Sequence, residues 1–213
     1  MGRRALPKID PHIDLSHNFR SLEELSQPWK PEELFSTPAP LEVEVGSGKG
    51  LFLQTAAIAR PESNFLGIEV ARKFARFAAA RLAKRNISNA VVLHGDGLRF
   101  FREWLPEGAL SAVHVYFPDP WWKARHRKRR VMNEPFLQDV YRTLQAGGRL
   151  HFWTDVEEYF TATLELIAES TTFQGPLSVP EKQPEHDLDY RTHFERRTRL
   201  SKQPVFRAEF EKE

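Results

Sequence analysis

A carboxylate, two indoles and a block of cations follow one another in Pro118-Asp119-Pro120-Trp121-Trp122-Lys123-Ala124-Arg125-His126-Arg127-Lys128-Arg129-Arg130. Six of the eight residues from Lys123 to Arg130 are Lys or Arg, and His126 stands among them. A carboxylate can accept from the edge of a base, an indole can stack on its face, and the cations can grip the phosphates around it. The apolar run Ala112-Val113-His114-Val115-Tyr116-Phe117 leads straight into this segment, so the chemistry sits at the end of a buried strand. The pattern reads as the substrate end of a nucleic-acid enzyme. Either Trp121 or Trp122 is expected to stack on the base while the other packs in the core. Arg125, Arg127, Arg129 and Arg130 are expected among the phosphate contacts; four such contacts imply a logarithmic salt slope of about −3.

A second constellation lies upstream, where the strand Leu41–Val45 runs into Gly46-Ser47-Gly48-Lys49-Gly50 and then a helix. Open α/β sheets bind ligands at such carboxyl ends of strands. The charge around this turn narrows the ligand. Glu44 stands two residues before Gly46, where a dinucleotide would bring its pyrophosphate. A carboxylate about 4 Å from a phosphate costs roughly 1 kcal/mol in water and about 4 kcal/mol in a partly buried site. The spacing Gly-x-Gly-x-Gly also differs from the dinucleotide Gly-x-Gly-x-x-Gly. Both features favour a cofactor with positive charge and no phosphate, and S-adenosyl-L-methionine fits. Glu69, in Gly67-Ile68-Glu69-Val70, is placed to accept from ribose hydroxyls, and Asp96, in Gly95-Asp96-Gly97, fits either an adenine contact or a helix cap. The expected cofactor residues are therefore Glu44, Gly46, Gly48, Glu69 and Asp96.

These residues need strands to position them, and the chain supplies strand–helix alternation from Leu41 onward. Strands are expected over Leu41–Val45, Asn64–Val70, Ala90–His94, Ala112–Phe117, Arg149–Trp153 and Val205–Glu211. Helices are expected over Leu51–Ala59, Ala71–Arg85, Leu98–Leu105, Glu134–Gln145 and Val156–Ser170, with Gly147-Gly148 stopping the fourth. Continuous apolar strands alternating with amphipathic helices imply an α/β fold with a doubly wound, mostly parallel sheet. Residues 1–40 carry six prolines and little periodicity, and read as an N-terminal extension lying on a 41–213 catalytic domain, with short helices near Leu22–Leu25 and Pro31–Phe35. A polar loop is expected over Gly175–Tyr190, and Thr192–Glu195 alone reads as generic loop.

Composition bounds the rest. At 213 residues and 40% hydrophobic the chain can bury a full core, and a net charge of only +2 makes any nucleic-acid affinity local. The absence of cysteine removes disulfides and thiolate nucleophiles, and no apolar run reaches the roughly 20 residues of a membrane span. The N-terminus lacks an apolar signal region, the eight histidines show no metal-ligand spacing, and no metal is expected. A cytoplasmic monomer or homodimer, without membrane or metal partners, is the expectation.

Gly67-Ile68-Glu69-Val70, the Asp119-Pro120-Trp121 segment with its basic tail, Thr154-Asp155 and Thr192-His193-Phe194-Glu195 occur in one order along the chain. That set resembles the bacterial tRNA (guanine-N7)-methyltransferases, over about Glu42 to Phe210. The resemblance implies a class I S-adenosylmethionine-dependent methyltransferase with a Rossmann-like sheet. It implies tRNA as partner and a variable-loop guanosine, position 46 in standard tRNA numbering, as acceptor. By the same resemblance Glu44, Glu69, Asp96 and Asp119 match cofactor positions, and Asp119 the catalytic acid. Lys123, Asp155, Thr192, His193, Phe194 and Glu195 match substrate contacts. Taken alone, Asp155 serves equally well as the cap of the following helix. After Glu195 the family usually places a glycine, whereas this chain runs Arg196-Arg197-Thr198-Arg199-Leu200.

Two alternatives compete. An exocyclic-amine methyltransferase also uses a strand-end acid followed by proline, but a second proline is missing here and a basic tail is present. A non-catalytic RNA binder on the same fold would have no need of Glu44, Gly46, Gly48, Glu69 and Asp119 together.

Overall fold

The computed structural model describes residues 6–180, 186 and 189–213. Eight strands form one sheet: β1 (Phe19–Ser21), β2 (Leu41–Val45), β3 (Asn64–Glu69), β4 (Ala90–His94), β5 (Leu110–Tyr116), β6 (Leu144–Thr154), β7 (Gln174–Leu177) and β8 (Phe206–Glu211). Their spatial order is β1-β4-β3-β2-β5-β6-β8-β7. The first six are parallel to their neighbours, and β8 and β7 close one edge antiparallel. The helices are α1 (Leu51–Ala59), α2 (Arg72–Ala83), α3 (Gly97–Glu103), α4 (Glu134–Thr143), α5 (Glu157–Ser170) and α6 (His193–Leu200).

Strand residues are apolar on both faces because helices cover both. One face joins Val43, Val45, Leu66, Ile68, Val113 and Val115 to α4 through Phe136 and Leu137 and to α5 through Tyr159. The other packs Phe65, Val92, Tyr116 and Trp153 against α1 and α2 through Phe52, Leu53, Ala78 and Leu82. Small residues let α1 and α2 approach closely: a side chain at Gly50 would meet the Ala78 Cβ at 2.7 Å. The chain leaves β2 toward β3 and β4 on one side and returns to β5 and β6 on the other, so the topological switch point lies at the carboxyl ends of β2 and β5.

Four differences from the sequence reading have local causes. Within residues 1–40, Phe19–Ser21 joins the sheet edge, and Leu22, Leu25, Trp29, Leu34 and Phe35 enter the main core. Asn18 secures the junction by donating to Ile87 O and Ala90 O, each at 2.8 Å. Helix α4 ends at Thr143, short of the Gly pair, which instead lies within β6 at an interruption of its register with β5. There Gly147 takes φ +73°, and the Gly147 N–H and Gly148 O pair with Lys212. Thr192–Glu195, read alone as loop, instead caps and opens α6, which runs on to Leu200 with no glycine after Glu195 to stop it. The expected polar loop Gly175–Tyr190 begins with β7, and its residues 181–185, 187 and 188 lie outside those described.

Candidate active site

A cavity of about 390 Å³ opens at the switch point. Its walls come from the carboxyl ends of four strands: Val45 and Gly46, Ile68 to Val70, Gly95 to Leu98, and Tyr116 to Asp119, with Arg129 and Val131 at one side. Among the described residues, three carboxylates, Glu69, Asp96 and Asp119, and one guanidinium line it, and no histidine or lysine does.

The Gly-rich turn spends its amides internally. Gly46 and Ser47 donate to Ile68 O, Gly50 donates to Ser47 O, and Gly48 donates to Glu69 Oε2 at 2.9 Å. Gly46 and Gly48 hold φ of +83° and +52°, a region that costs a residue with Cβ about 1–2 kcal/mol. Amides used in this way cannot cradle a pyrophosphate, which agrees with the charge argument against a dinucleotide. Glu69 is thus a brace as well as a wall: its Oε1 also accepts from Ala71 N–H at 2.8 Å. Each carboxylate oxygen can accept a second bond, so the ribose-binding role is still open to it.

Glu44 lies deeper, 3% exposed, and its Oε2 has no partner among the described residues. Burial, reinforced by the charge on Glu69, pushes its carboxyl well above the usual range. An orphaned buried acid is costly unless a ligand completes it. Asp96 is a helix cap that also faces the cavity. Its Oδ1 caps α3 by accepting from Leu98 N–H at 2.9 Å and Arg99 N–H at 3.4 Å, and the residue lines the cavity.

Asp119 is exposed at the cavity rim, with Oδ1 accepting from Trp121 N–H at 3.1 Å. The backbone around it is strained: Phe117 and Trp121 take φ of +50° and +45°. Such conformations in bulky residues concentrate at functional sites. The expectation that one indole packs in the core is overturned. Trp121 is half-buried, edge-on to His126 at 5.7 Å with Arg129 over its ring at 5.1 Å, while Trp122 is 65% exposed. Consecutive residues leaving a strand through a left-handed turn have no core to enter. The cations follow on a 3-10 turn, Ala124–Arg129. Lys123 before it and Arg125 within it are exposed, and Arg127 reaches Glu158 at 2.7 Å. Arg130 folds back to donate to Pro120 O at 2.8 Å and lies over Tyr159.

The Thr192–Glu195 motif splits in two. Thr192 Oγ1 accepts from Glu195 N–H at 3.0 Å, and the buried Glu195 accepts from Arg191 N–H at 2.6 Å, so these two residues build the start of α6. Phe194 carries the helix to the site by stacking on Phe117 at 5.1 Å, and His193 lies 2.9 Å from the Arg81 guanidinium. Asp155 does not cap α5. Val156 occupies that position, Thr154 Oγ1 accepts from its N–H, and the Asp155 carboxylate has no partner among the described residues.

A buried network beneath the cavity was not foreseen. Glu42, paired with Arg60, accepts from His114 Nε2–H at 2.7 Å, and His114 Nδ1 accepts from the Tyr116 hydroxyl at 2.9 Å. Burial and the stacked His151 ring push His114 down to about 3, so it is neutral, and burial pushes the Tyr116 hydroxyl up. Burial opposes ionisation of Glu42, yet His114 and Arg60 outweigh it and hold the carboxyl below its usual value. Polar residues at alternate positions of apolar strands were the available signal.

With this geometry in hand, the comparisons with known proteins decide the family. The profile described as "Putative methyltransferase" matches residues 38–208. A tRNA (guanine-N(7)-)-methyltransferase of Rhodopirellula baltica is 50% identical over 100% of this chain and 80% of its own length. Another, of Sodalis glossinidius, is 36% identical over 81% of this chain and 72% of its own.

The chain belongs to the bacterial tRNA (guanine-N7)-methyltransferase family.

Solved structures agree on the fold. An antibiotic-related methyltransferase superposes with a TM-score of 0.61 at 16% identity, covering 84% of this chain and 90% of that one. The aminoglycoside resistance methyltransferase NpmB1 gives 0.59 at 17% identity, covering 89% and 95%. The fold is the Rossmann-like class I S-adenosylmethionine-dependent methyltransferase fold. The cavity of this family member suits that cofactor: three acids on its wall and a turn that offers no phosphate cradle favour a cationic ligand, and Glu44, which is not on the wall, lies buried one residue before the lining residue Val45. Among the described residues no group of His, Asp or Glu could hold a metal ion, and no helix is long and apolar enough to cross a membrane.

Proposed function

We propose that this methyltransferase modifies N7 of guanosine 46 in the variable loop of tRNA, in the cytoplasm, using S-adenosylmethionine. The observation that carries the reading is Asp119: a carboxylate at the mouth of the acidic cavity, followed after Pro120 by a half-buried indole, an exposed indole and a cationic turn. Residues 41–213 act as the catalytic domain, and the described part of the 1–40 extension braces its β4 edge.

When bound, S-adenosylmethionine supplies a sulfonium methyl group open to in-line attack. Guanine N7 carries an in-plane lone pair and no proton, so the protein needs no general base, and among the described residues the cavity wall offers carboxylates and one guanidinium but no histidine or lysine. What the residues must do is position the base and tolerate the charge it acquires. Positioning is worth about 7–11 kcal/mol at best. Asp119 Oδ2 can accept from guanine N1–H or N2–H, holding the base edge, while the carboxylate stabilises the cation that develops on the ring. Glu44, Glu69 and Asp96, with the Gly46–Gly48 turn, hold the cofactor. Trp121 or Trp122 stacks on the base, worth about 1–3 kcal/mol. Lys123, Arg125, Arg127 and Arg129 take phosphates, while Arg130, tied back to Pro120 O and Tyr159, holds the turn that presents them, and Asp155 and the Phe194 end of α6 close around the nucleotide.

A pair of tRNA transcripts tests the reading. The transcript with guanosine in the variable loop should accept labelled methyl groups, and the same transcript with 7-deazaguanosine there should accept none. Equal labelling of both would move the reaction to an exocyclic amine or a ribose.

A further inference from the structure

Helix α2 carries a charge excess that the site just described does not use. Between Glu69 and Asp96 the sequence has six Lys or Arg and no acid. Five of these, Arg72, Lys73, Arg76, Lys84 and Arg85, are exposed and have no ion-pair partner among the described residues. Several cations elsewhere on the surface are paired, Arg99 with Glu103, Arg142 with Asp139 and Arg149 with Glu211, and the other dense group of exposed cations is the 3-10 turn at the cavity mouth. In a protein of net charge +2, five unneutralised cations on one helix and its end make a local field, not a general property of the surface.

The helix is also well placed. Glu69 and Val70 line the cavity, and α2 begins two residues later, so Arg72 and Lys73 stand beside the rim. From there α2 runs about 18 Å along its axis. The basic 3-10 turn follows β5, whereas α2 follows β3, and β2 lies between those strands. The cavity mouth therefore has cations on both sides of β2. Arg81 near the end of α2 lies 2.9 Å from His193, and Arg76 at mid-helix lies over the Phe19 ring, so α2 is held to its neighbours on two sides.

We propose that Arg72, Lys73, Arg76, Lys84 and Arg85 form a second phosphate-binding surface, which holds the backbone of the RNA beyond the target nucleotide. This rests on RNA being the substrate. The surface reads no base: it supplies affinity and register, as cations aimed at phosphates do. It extends the footprint across the cavity mouth, from the 3-10 turn to the far end of α2.

The test compares wild type with the R72A/K73A/R76A and K84A/R85A variants and with a charge-keeping R72K/R76K variant. Binding of fluorescent tRNA is measured by anisotropy across a salt series, separately from turnover. Removing three phosphate contacts should weaken binding about tenfold to a hundredfold near 0.1 M salt and flatten the logarithmic salt slope by about 2 to 3. KM for tRNA should rise with kcat nearly unchanged, the charge-keeping variant should behave as wild type, and S-adenosylmethionine affinity and melting temperature should not move. Unchanged tRNA affinity and salt slope in both alanine variants would overturn the surface. Tighter binding to anionic phospholipid vesicles than to tRNA would also overturn it, in favour of a membrane. Wild-type protein that binds tRNA through α2 yet never methylates it would instead count against the proposed function alone.

Discussion

Glu44 and Glu69 stand near the carboxyl ends of adjacent strands as a pair of unequal acids: Glu69 is engaged by the Gly48 and Ala71 amides, while the buried Glu44 has an oxygen that no described group serves. The inequality follows from depth. Glu69, the last residue of β3, reaches the backbone of the turn; Glu44, paired in register with Gly67 two residues earlier, is buried on the sheet face it shares with its β5 partner His114.

Proton linkage at Glu44 should follow. Its folded value is raised by burial and by the charge on Glu69, so the folded state binds more protons than the unfolded state as pH rises above about 4.5, and stability falls across that window. A cationic cofactor favours the ionised form, so its binding should release a proton there and tighten with pH. Calorimetry in buffers of different ionisation enthalpy reads the proton directly. Glu44→Gln should stabilise the free protein relative to wild type, increasingly with pH, while weakening S-adenosylmethionine binding at least tenfold. A variant that binds the cofactor as wild type does would remove Glu44 from the site.

The acid limb of stability should have two parts. His114 is lowered to about 3 in the folded state, so the unfolded state binds more protons between about 3 and 6.5. Stability is complete above about 6.5 and is lost as pH falls through that range. Glu42 and Glu209, both lowered in the fold, add their loss only below about 4.5. Thermal melts of His114→Phe should lack the upper part of the limb. They should also show a lower melting temperature at neutral pH, because Glu42 and Tyr116 lose a buried partner.

The two indoles should separate by function. Trp121 is fixed between His126 and Arg129, and Trp122 is open to solvent. Replacing a stacking indole with Ala should cost about 1–3 kcal/mol of tRNA binding. We expect the exposed Trp122→Ala to show this loss with no change in melting temperature, and Trp121→Ala to disturb the turn and lower kcat. Tryptophan-fluorescence quenching by tRNA, compared between the variants, checks the assignment.

Much of this was legible in the sequence where local pattern and burial agree. Leu41–Val45, Leu51–Ala59 and Ala90–His94 have the expected limits because apolar runs there end at glycine, asparagine or charged residues. The cavity acids could be placed because strand ends in a parallel sheet converge on one edge. What stayed hidden depended on distant partners. Phe19–Ser21 becomes a strand only because β4 offers an open edge, and α6 rests on Glu195, whose buried carboxylate is met by Arg199 and Arg207. The Glu42–His114–Tyr116 chain needs two strands in register. The Gly147-Gly148 pair has the composition of a helix stop, yet its pairing with Lys212 makes it part of a strand.

The role of Asp119 is bounded by two substitutions. Asp119→Ala should lower kcat on tRNA by at least a hundredfold while leaving cofactor binding nearly intact, and Asp119→Asn should recover only part, since an amide accepts from the base edge but carries no charge. Full activity in the alanine variant would end its catalytic assignment.

The central claim concerns one atom of one nucleotide, and chemical cleavage reads it directly. Unmodified tRNA is incubated with the enzyme and S-adenosylmethionine, reduced with borohydride and treated with aniline, which breaks the chain at N7-methylguanosine. A single break at guanosine 46 of the variable loop is the predicted result. Methyl incorporation without a break, or a break elsewhere, would contradict the account.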